Sequence, residues 1–244
     1  MQEPPTTLLS DASLFLDFDG TLVELASTPD SVSLSDDVRS LLRKLQFRLS
    51  GRLALLSGRS MADVRSYLRP LDVAVAGSHG LELAQASEDS VVLEAPSGLP
   101  DAILQLKQLE SAEPGVLVEA KPGGAAIHYR RAPAAEAICR ETAARVAKEI
   151  GMVLQYGKMV VELKHPSADK GQALRQFMSA PPFAGTSPVF IGDDLTDEDG
   201  FAAARELGGA GILVGPERPT RATFRLENVG AVQAWLEAAS ETLS

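Results

Sequence analysis

Cysteine is nearly missing from the chain: Cys139 is the only one in 244 residues. With no second thiol it can close no internal disulfide and build no thiolate zinc cluster, so the chain reads as an unbridged, cytoplasmic protein. Basic residues are also short, 23 Lys and Arg against 33 Asp and Glu for a formal net charge of −10. That balance lacks the positive footprint needed to bind a phosphate backbone and argues against a nucleic-acid partner. Long apolar runs are absent too. The longest uncharged stretch, Gln176 to Gly192, is broken by Pro181, Pro182 and Pro188, which excludes a membrane helix there. Met1 to Ser10 has no basic start followed by an apolar run, so it does not read as a signal peptide, and with Pro4 and Pro5 it reads as a loose tail. What the chain does have is 45% hydrophobic residues, enough to fill the core of one large domain or two small ones.

The apolar pattern divides that core. Ser13 to Phe18 is a short buried-strand run that ends abruptly in acids and Gly20. Ser35 then caps an amphipathic helix whose Val38, Leu41, Leu42, Leu45 and Leu49 share a face. Leu53 to Leu56 is a second strand, Ser60 to Asp63 a capping box opening a helix that stops at Pro70, and Val73 to Ala76 a third strand. Strand alternating with helix predicts a parallel sheet with right-handed crossovers. From about Glu82 the rhythm changes to a strand at Val91 to Glu94, a helix from Leu99, paired strands around Lys121 to Gly124, a helix over Ala134 to Ile150, and a second strand pair over 152–163. After Pro166 the parallel pattern returns, with a helix from Asp169, strands at 188–191 and 211–214, a helix from Asp197 and a last helix carrying Trp235 and Leu236. The expected architecture is an α/β core of residues 1–82 and 165–244, interrupted by an α+β module of residues 83–164.

Chemistry is expected at the carboxyl ends of the core strands, where open α/β sheets bind ligands. Asp17 and Asp19 stand two residues apart at the end of the first strand, before a Gly that permits a sharp turn. Two carboxylates so close repel unless a cation or proton lies between them, which points to a divalent metal with oxygen ligands. A plain surface loop rich in Asp and Gly would look similar. A second cluster, Gly192-Asp-Asp-Leu-Thr-Asp-Glu-Asp199, follows another core strand. Helix capping accounts for Thr196 to Asp199 but not for Asp193 and Asp194. Ser57-Gly58-Arg59 and Asp169-Lys170-Gly171 would bring a hydroxyl and an ammonium to the same sheet edge, a set suited to phosphoryl oxygens.

These motifs, in this order, resemble those of haloacid-dehalogenase-type phosphotransferases, with Asp17-Phe-Asp-Gly-Thr first, Ser57 second, Lys170 third and Gly192-Asp-Asp…Asp197 fourth. The inserted module resembles the C2-type α+β cap of that superfamily. Gly77-Ser-His-Gly80, Glu119-x-Lys121, His128-Tyr-Arg130 and Glu162 are similar to the trehalose-6-phosphate phosphatase family over about Leu14 to Val214. The resemblance implies a Rossmann-like core and hydrolysis of a sugar phosphate through an aspartyl-phosphate. Asp17 would be the nucleophile and Asp19 the general acid and base. Ser57, Gly58 and Lys170 would hold the phosphate. Magnesium would be bound by Asp17, the main-chain carbonyl of Asp19 and Asp193, with Asp194 and Asp197 orienting Lys170 or metal-bound water. Glu119, Lys121, Glu162 and His79 would contact the sugar, while Arg59 and Arg130 are further candidates and His128 and His165 can equally be structural. Without the resemblance, the three charged cap residues read as a salt-bridged sheet face. The same chemistry on sucrose phosphate or a mannosyl phosphate is one competing reading and a non-catalytic sugar-phosphate sensor another. A trehalose-6-phosphate synthase is the partner that the resemblance implies.

Overall fold

The computed structural model describes residues 1–24, 33–86, 91–92, 96–121, 123–157, 159–166 and 168–243. Pro122, in the turn expected between the first strand pair, and Leu93 and Glu94, at the end of the strand expected from Val91, lie outside them. The chain folds as two compact units, residues 1–91 with 169–244, and residues 92–168.

The first unit is built on an eight-stranded sheet. Its central strands are β1 (Ala12–Leu16), β2 (Leu53–Leu56) and β3 (Ala74–Gly77), flanked on one edge by β4 (Glu82–Ala84) and β5 (Val91–Val92). Beyond β1 on the other side lie β10 (Ser187–Gly192), β11 (Ala210–Val214) and β12 (Phe224–Leu226). Every pairing from β12 to β3 is parallel, and β4 runs antiparallel to β3. Both faces are covered, which is why these strands read as unbroken apolar runs. Leu14, Leu16, Leu53, Leu55, Val189 and Ile191 point into one core, which also holds Leu42 and Leu45 from α1 (Asp36–Arg48), Val64 from α2 (Met61–Leu68), and Trp235 and Leu236 from α7 (Val229–Thr242). Phe15, Ala54, Leu56 and Phe190 point into the opposite core with Leu174 and Phe177 of α5 (Lys170–Met178) and Phe201 of α6 (Glu198–Glu206). The parallel-sheet reading is thereby confirmed.

Two expectations need correction. The change of rhythm in the sequence assigns the strand at Val91 to the insert, yet β4 and β5 extend the core sheet. Glu82–Ala84 is not visible as a strand in the sequence because a three-residue strand carries almost no periodic signal. The amino terminus is not a loose tail. Thr6–Leu9 forms a 3-10 turn with Leu9 fully buried, the Trp235 indole donates to the Pro4 carbonyl at 2.9 Å, and Thr242 donates to the Thr6 carbonyl. A buried indole N–H needs an acceptor, and the proline-rich segment supplies it.

The second unit pairs α3 (Leu99–Ala112) and α4 (Glu136–Ile150) with a four-stranded antiparallel sheet ordered β6 (Leu117–Lys121), β7 (Gly124–His128), β9 (Val160–Lys164), β8 (Val153–Gly157). Val118, Ile127, Val161 and Leu163 form one core with Leu106, Cys139 and Val146 of the helices. Gly151 ends α4 in the left-handed conformation, φ 70°, as its position after the last apolar residue predicted.

Candidate active site

β1 lies between β10 and β2, with Leu16 in register with both Ile191 and Leu55. The residues that follow these three strands therefore emerge side by side at one sheet edge. Asp17 is 5% exposed and its N–H donates to the Ile191 carbonyl. Ser57, 1% exposed, donates its N–H to Ala76 and accepts the Arg59 N–H on Oγ. Gly20 sits against the Asp193 carboxylate with φ +80°, and a Cβ there would fall 2.2 Å from Asp193 Oδ2. Only glycine allows the two acid clusters to approach this closely.

Lys170 opens α5, after the capping Asp169. A cation at a helix amino terminus is on the wrong side of the dipole, so its placement depends on specific partners. Its Nζ donates to Asp17 Oδ1 at 2.6 Å and to Asp197 Oδ1 at 2.5 Å. Asp197 is fully buried, and its other oxygen accepts the N–H groups of Asp193 and Asp194, each at 2.8 Å. Asp197 is thus a hub that ties the ammonium to the acid loop. The Asp194 carboxylate instead faces outward and caps the turn through Leu195 N–H.

Carboxylate oxygens of Asp17, Asp193 and Asp197 lie within 4.8 Å of one another. Fully ionised, they set three negative charges against one ammonium, Lys170, among the described residues. Burial therefore holds the Asp17 carboxyl well above the usual carboxylate range, against the pull of Lys170. Burial and the charge of Asp197 push Asp193 up to about 6. Burial alone would lower the Lys170 pKa, but Asp17 and Asp197 outweigh it and raise it, so the ammonium stays charged. A buried, oxygen-only, under-neutralised cluster fits a hard divalent cation.

The Asp19 carboxylate stands apart from this cluster and is gripped by Arg59, Nε to Oδ2 at 2.6 Å and Nη2 to Oδ1 at 2.7 Å. His79 has a left-handed backbone, φ 58°, donates its N–H to the Ser57 carbonyl, and packs its ring on Gly58, where a Cβ would lie 2.7 Å from it. That places His79 beside the Ser57–Gly58 turn. Arg218, which no motif marked, donates to the main-chain carbonyls of Asp193 and Asp194 and pairs with Glu198. An arginine in an irregular loop carries no sequence signal of such a role.

In the second unit, Glu119 and Glu162 are both in register with Ala126, so they lie in one row across β6, β7 and β9. Lys121 pairs with Glu162, and Glu119 bonds His128 Nε2 at 2.9 Å. The three charged residues share one sheet face, which the two-residue spacing predicted for Glu119 and Lys121 and the strand register adds for Glu162. Arg130 is exposed and His165 half-buried beyond β9.

Residues 15–229 match the family model described as trehalose-phosphatase. The chain belongs to the trehalose-phosphatase family. It is 39% identical over 242 residues to the trehalose-6-phosphate phosphatase of Escherichia coli K12, covering 97% of this chain and 91% of that protein. It is 36% identical to a probable trehalose-phosphate phosphatase of Sinorhizobium fredii, covering 94% and 86%. The C-terminal domain of Candida albicans trehalose-6-phosphate phosphatase shares the fold, with a TM-score of 0.79 at 24% identity over 98% of each chain. So does a haloacid dehalogenase-like hydrolase from Bacteroides thetaiotaomicron, with a TM-score of 0.69 at 15% identity over 92% of this chain and 97% of that one. As a trehalose-phosphatase family member the chain is a phosphoric monoester hydrolase. Among the described residues, no helix is long and apolar enough to cross a membrane.

Proposed function

We propose that this enzyme hydrolyses trehalose 6-phosphate to trehalose and phosphate through an aspartyl-phosphate on Asp17. The observation that carries the reading is the convergence of Asp17, Lys170, Asp197 and Asp193 at one sheet edge, with Asp19 held separately beside them. In the first step an Asp17 oxygen attacks phosphorus, the bond from phosphorus to the sugar oxygen breaks, and Asp19 gives that oxygen a proton. In the second, Asp19 takes a proton from water, the hydroxide oxygen bonds to phosphorus, and Asp17 is released as a carboxylate. Lys170 and Ser57, with the main chain of Gly58, hold the peripheral oxygens as negative charge builds on them.

Magnesium is the cation we assign to the site, held by Asp17, Asp193 and the main-chain carbonyl of Asp19, where it would supply positive charge to the phosphoryl group. Asp197 acts on Lys170 and on the loop carrying Asp193. Asp194 we assign to shaping that loop through its cap. Glu119, Lys121 and Glu162 supply acceptors and a donor for sugar hydroxyls, and His79 a contact beside the phosphate turn. The substrate would come from a glycosyl transfer that leaves a phosphorylated disaccharide, which is the reaction of a trehalose-6-phosphate synthase, and the enzyme would work beside it in the cytoplasm. The test is phosphate release from a panel of trehalose, sucrose and mannosyl phosphates, with and without magnesium, alongside Asp17→Asn. Preference for another sugar would reassign the substrate. Turnover by Asp17→Asn within tenfold of wild type would remove Asp17 from the mechanism, since the amide cannot replace an anionic nucleophile.

A further inference from the structure

Asp19 is useful in both steps only if its carboxylate is aimed, and Asp19 is the more exposed of the two acids in its motif, with a side chain 28% accessible. A short carboxylate at a sheet edge would ordinarily sample several rotamers. Here it does not stand alone. Both of its oxygens accept from the Arg59 guanidinium in a parallel two-pronged contact, a geometry that fixes the plane of the carboxylate as well as its position. An ionised carboxylate has about four acceptor positions, so the contact leaves each oxygen a place to accept another proton.

Arg59 is itself held through its backbone, its guanidinium and two aromatic rings. Its N–H donates to Ser57 Oγ at 3.1 Å and its carbonyl accepts from Ser78 N–H at 2.7 Å, fixing the backbone of the turn. Its third guanidinium nitrogen, Nη1, donates to the Tyr67 hydroxyl at 3.3 Å. The guanidinium carbon lies 5.8 Å from the centre of the Phe18 ring and 5.5 Å from that of Tyr67, within cation–π reach of both. The two rings stack on each other at 5.5 Å. Phe18 is the residue between Asp17 and Asp19, so the tripeptide that presents the acids also supplies a wall of the cradle that holds the arginine.

We infer that Arg59, cradled by Phe18 and Tyr67, is a positioning residue that aims the Asp19 carboxylate at the departing ester oxygen. It acts through Asp19 and not on the substrate, an inference that rests on the role proposed above for Asp19. Proton delivery matters most when the leaving oxygen is basic. Loss of aim should therefore penalise a poor leaving group and largely spare a good one.

Phenyl phosphate and 4-nitrophenyl phosphate are similar in size and lack sugar hydroxyls, but differ in the basicity of the oxygen released. The experiment compares kcat/KM on both esters for wild type, Asp19→Asn, Arg59→Lys, Arg59→Met and the double variant Asp19→Asn with Arg59→Met. Thermal melts of each show that the variants fold. Arg59→Met should lose about a hundredfold on phenyl phosphate, the lower range for a general acid, and less than about tenfold on 4-nitrophenyl phosphate. Arg59→Lys keeps the charge and one prong, and should fall between wild type and Arg59→Met even if the latter folds poorly. In the double variant, Arg59→Met should add almost nothing to Asp19→Asn, because two residues acting through one group are not additive.

Equal losses on both esters, or additive losses in the double variant, would overturn the inference and make Arg59 a phosphate ligand or a support of the fold. If Asp19→Asn discriminates between the esters and the Arg59 variants do not, the inference fails while the role of Asp19 stands. If Asp19→Asn itself fails to discriminate, Asp19 is not the acid, and both fall.

Discussion

Replacing Asp197 with Asn separates the two opposing forces on the buried cluster. The carboxylate is fully buried and accepts three hydrogen bonds, from Lys170 Nζ and from the N–H groups of Asp193 and Asp194. Asn keeps one acceptor oxygen and turns an NH2 donor toward a donor, so at least one of those bonds becomes a donor-donor contact. Breaking a buried charge pair by removing one partner costs about 3–5 kcal/mol. Against this, the Asp197 charge disfavours ionisation of Asp17 and Asp193, and its removal relieves that repulsion. Because Lys170 retains Asp17 as a partner, and because the loop loses its tether whatever the charge state, we expect the loss to win by about 2–3 kcal/mol. For a chain of this size that is a fall in Tm of about 4–12 °C. The assay is a thermal melt in chelator and again with magnesium, with Asp194→Asn as the control in the same loop. The Asp194 carboxylate only caps an exposed turn, and its loss should cost about 1 kcal/mol or less. An Asp197→Asn protein that melts at or above the wild-type temperature in chelator would refute the reasoning, because repulsion and not tethering would then govern the cluster.

Three further outcomes are expected. Asp193 has a folded-state pKa raised to about 6; this contributes stability that is fully present below about pH 4 and lost as pH rises through 6, worth about 1–2 kcal/mol once solvent screening of a partly exposed group is allowed for. Metal-free protein should accordingly melt higher at pH 5 than at pH 8, and Asp193→Asn should flatten that difference and weaken magnesium binding by calorimetry. Lys170→Met removes the ammonium that pairs with Asp17 and Asp197 and should lower phosphate release by about a thousandfold, measured at saturating substrate. Glu119→Ala or Glu162→Ala should reduce kcat/KM for trehalose 6-phosphate about ten- to a hundredfold more than for an aryl phosphate, whereas equal losses would assign them to the stability of their own sheet.

The motifs that converge at the sheet edge were legible because each is local. Asp17 and Asp19, Ser57 and Gly58, Asp169 to Gly171 and Gly192 to Asp199 each follow a short apolar run or open a helix, and a doubly wound sheet delivers such ends to one edge. The charged row in the second unit was legible in part for a similar reason, since alternation along a strand places Glu119 and Lys121 on one face. Other features were illegible in physical terms. A three-residue strand such as Glu82–Ala84 has no period to detect, and the order of the charges in Gly192 to Asp199 does not say which carboxylate turns inward.

By itself, then, the sequence determined the alternation that builds the parallel core and which acids and which lysine stand at strand ends and helix starts, because strand and helix periods and strand-end loops are properties of consecutive residues. Only the tertiary structure decided that Asp197 and not Asp194 reaches Lys170, that Asp19 is clamped by an arginine forty residues away in sequence, that Arg218 braces the acid loop, and that the amino terminus is fastened beneath α7. Each of these is a contact across a large separation in sequence or a choice between adjacent side chains. Such contacts depend on which group can be desolvated and still find a partner, and that is settled only when the packed neighbours are in place.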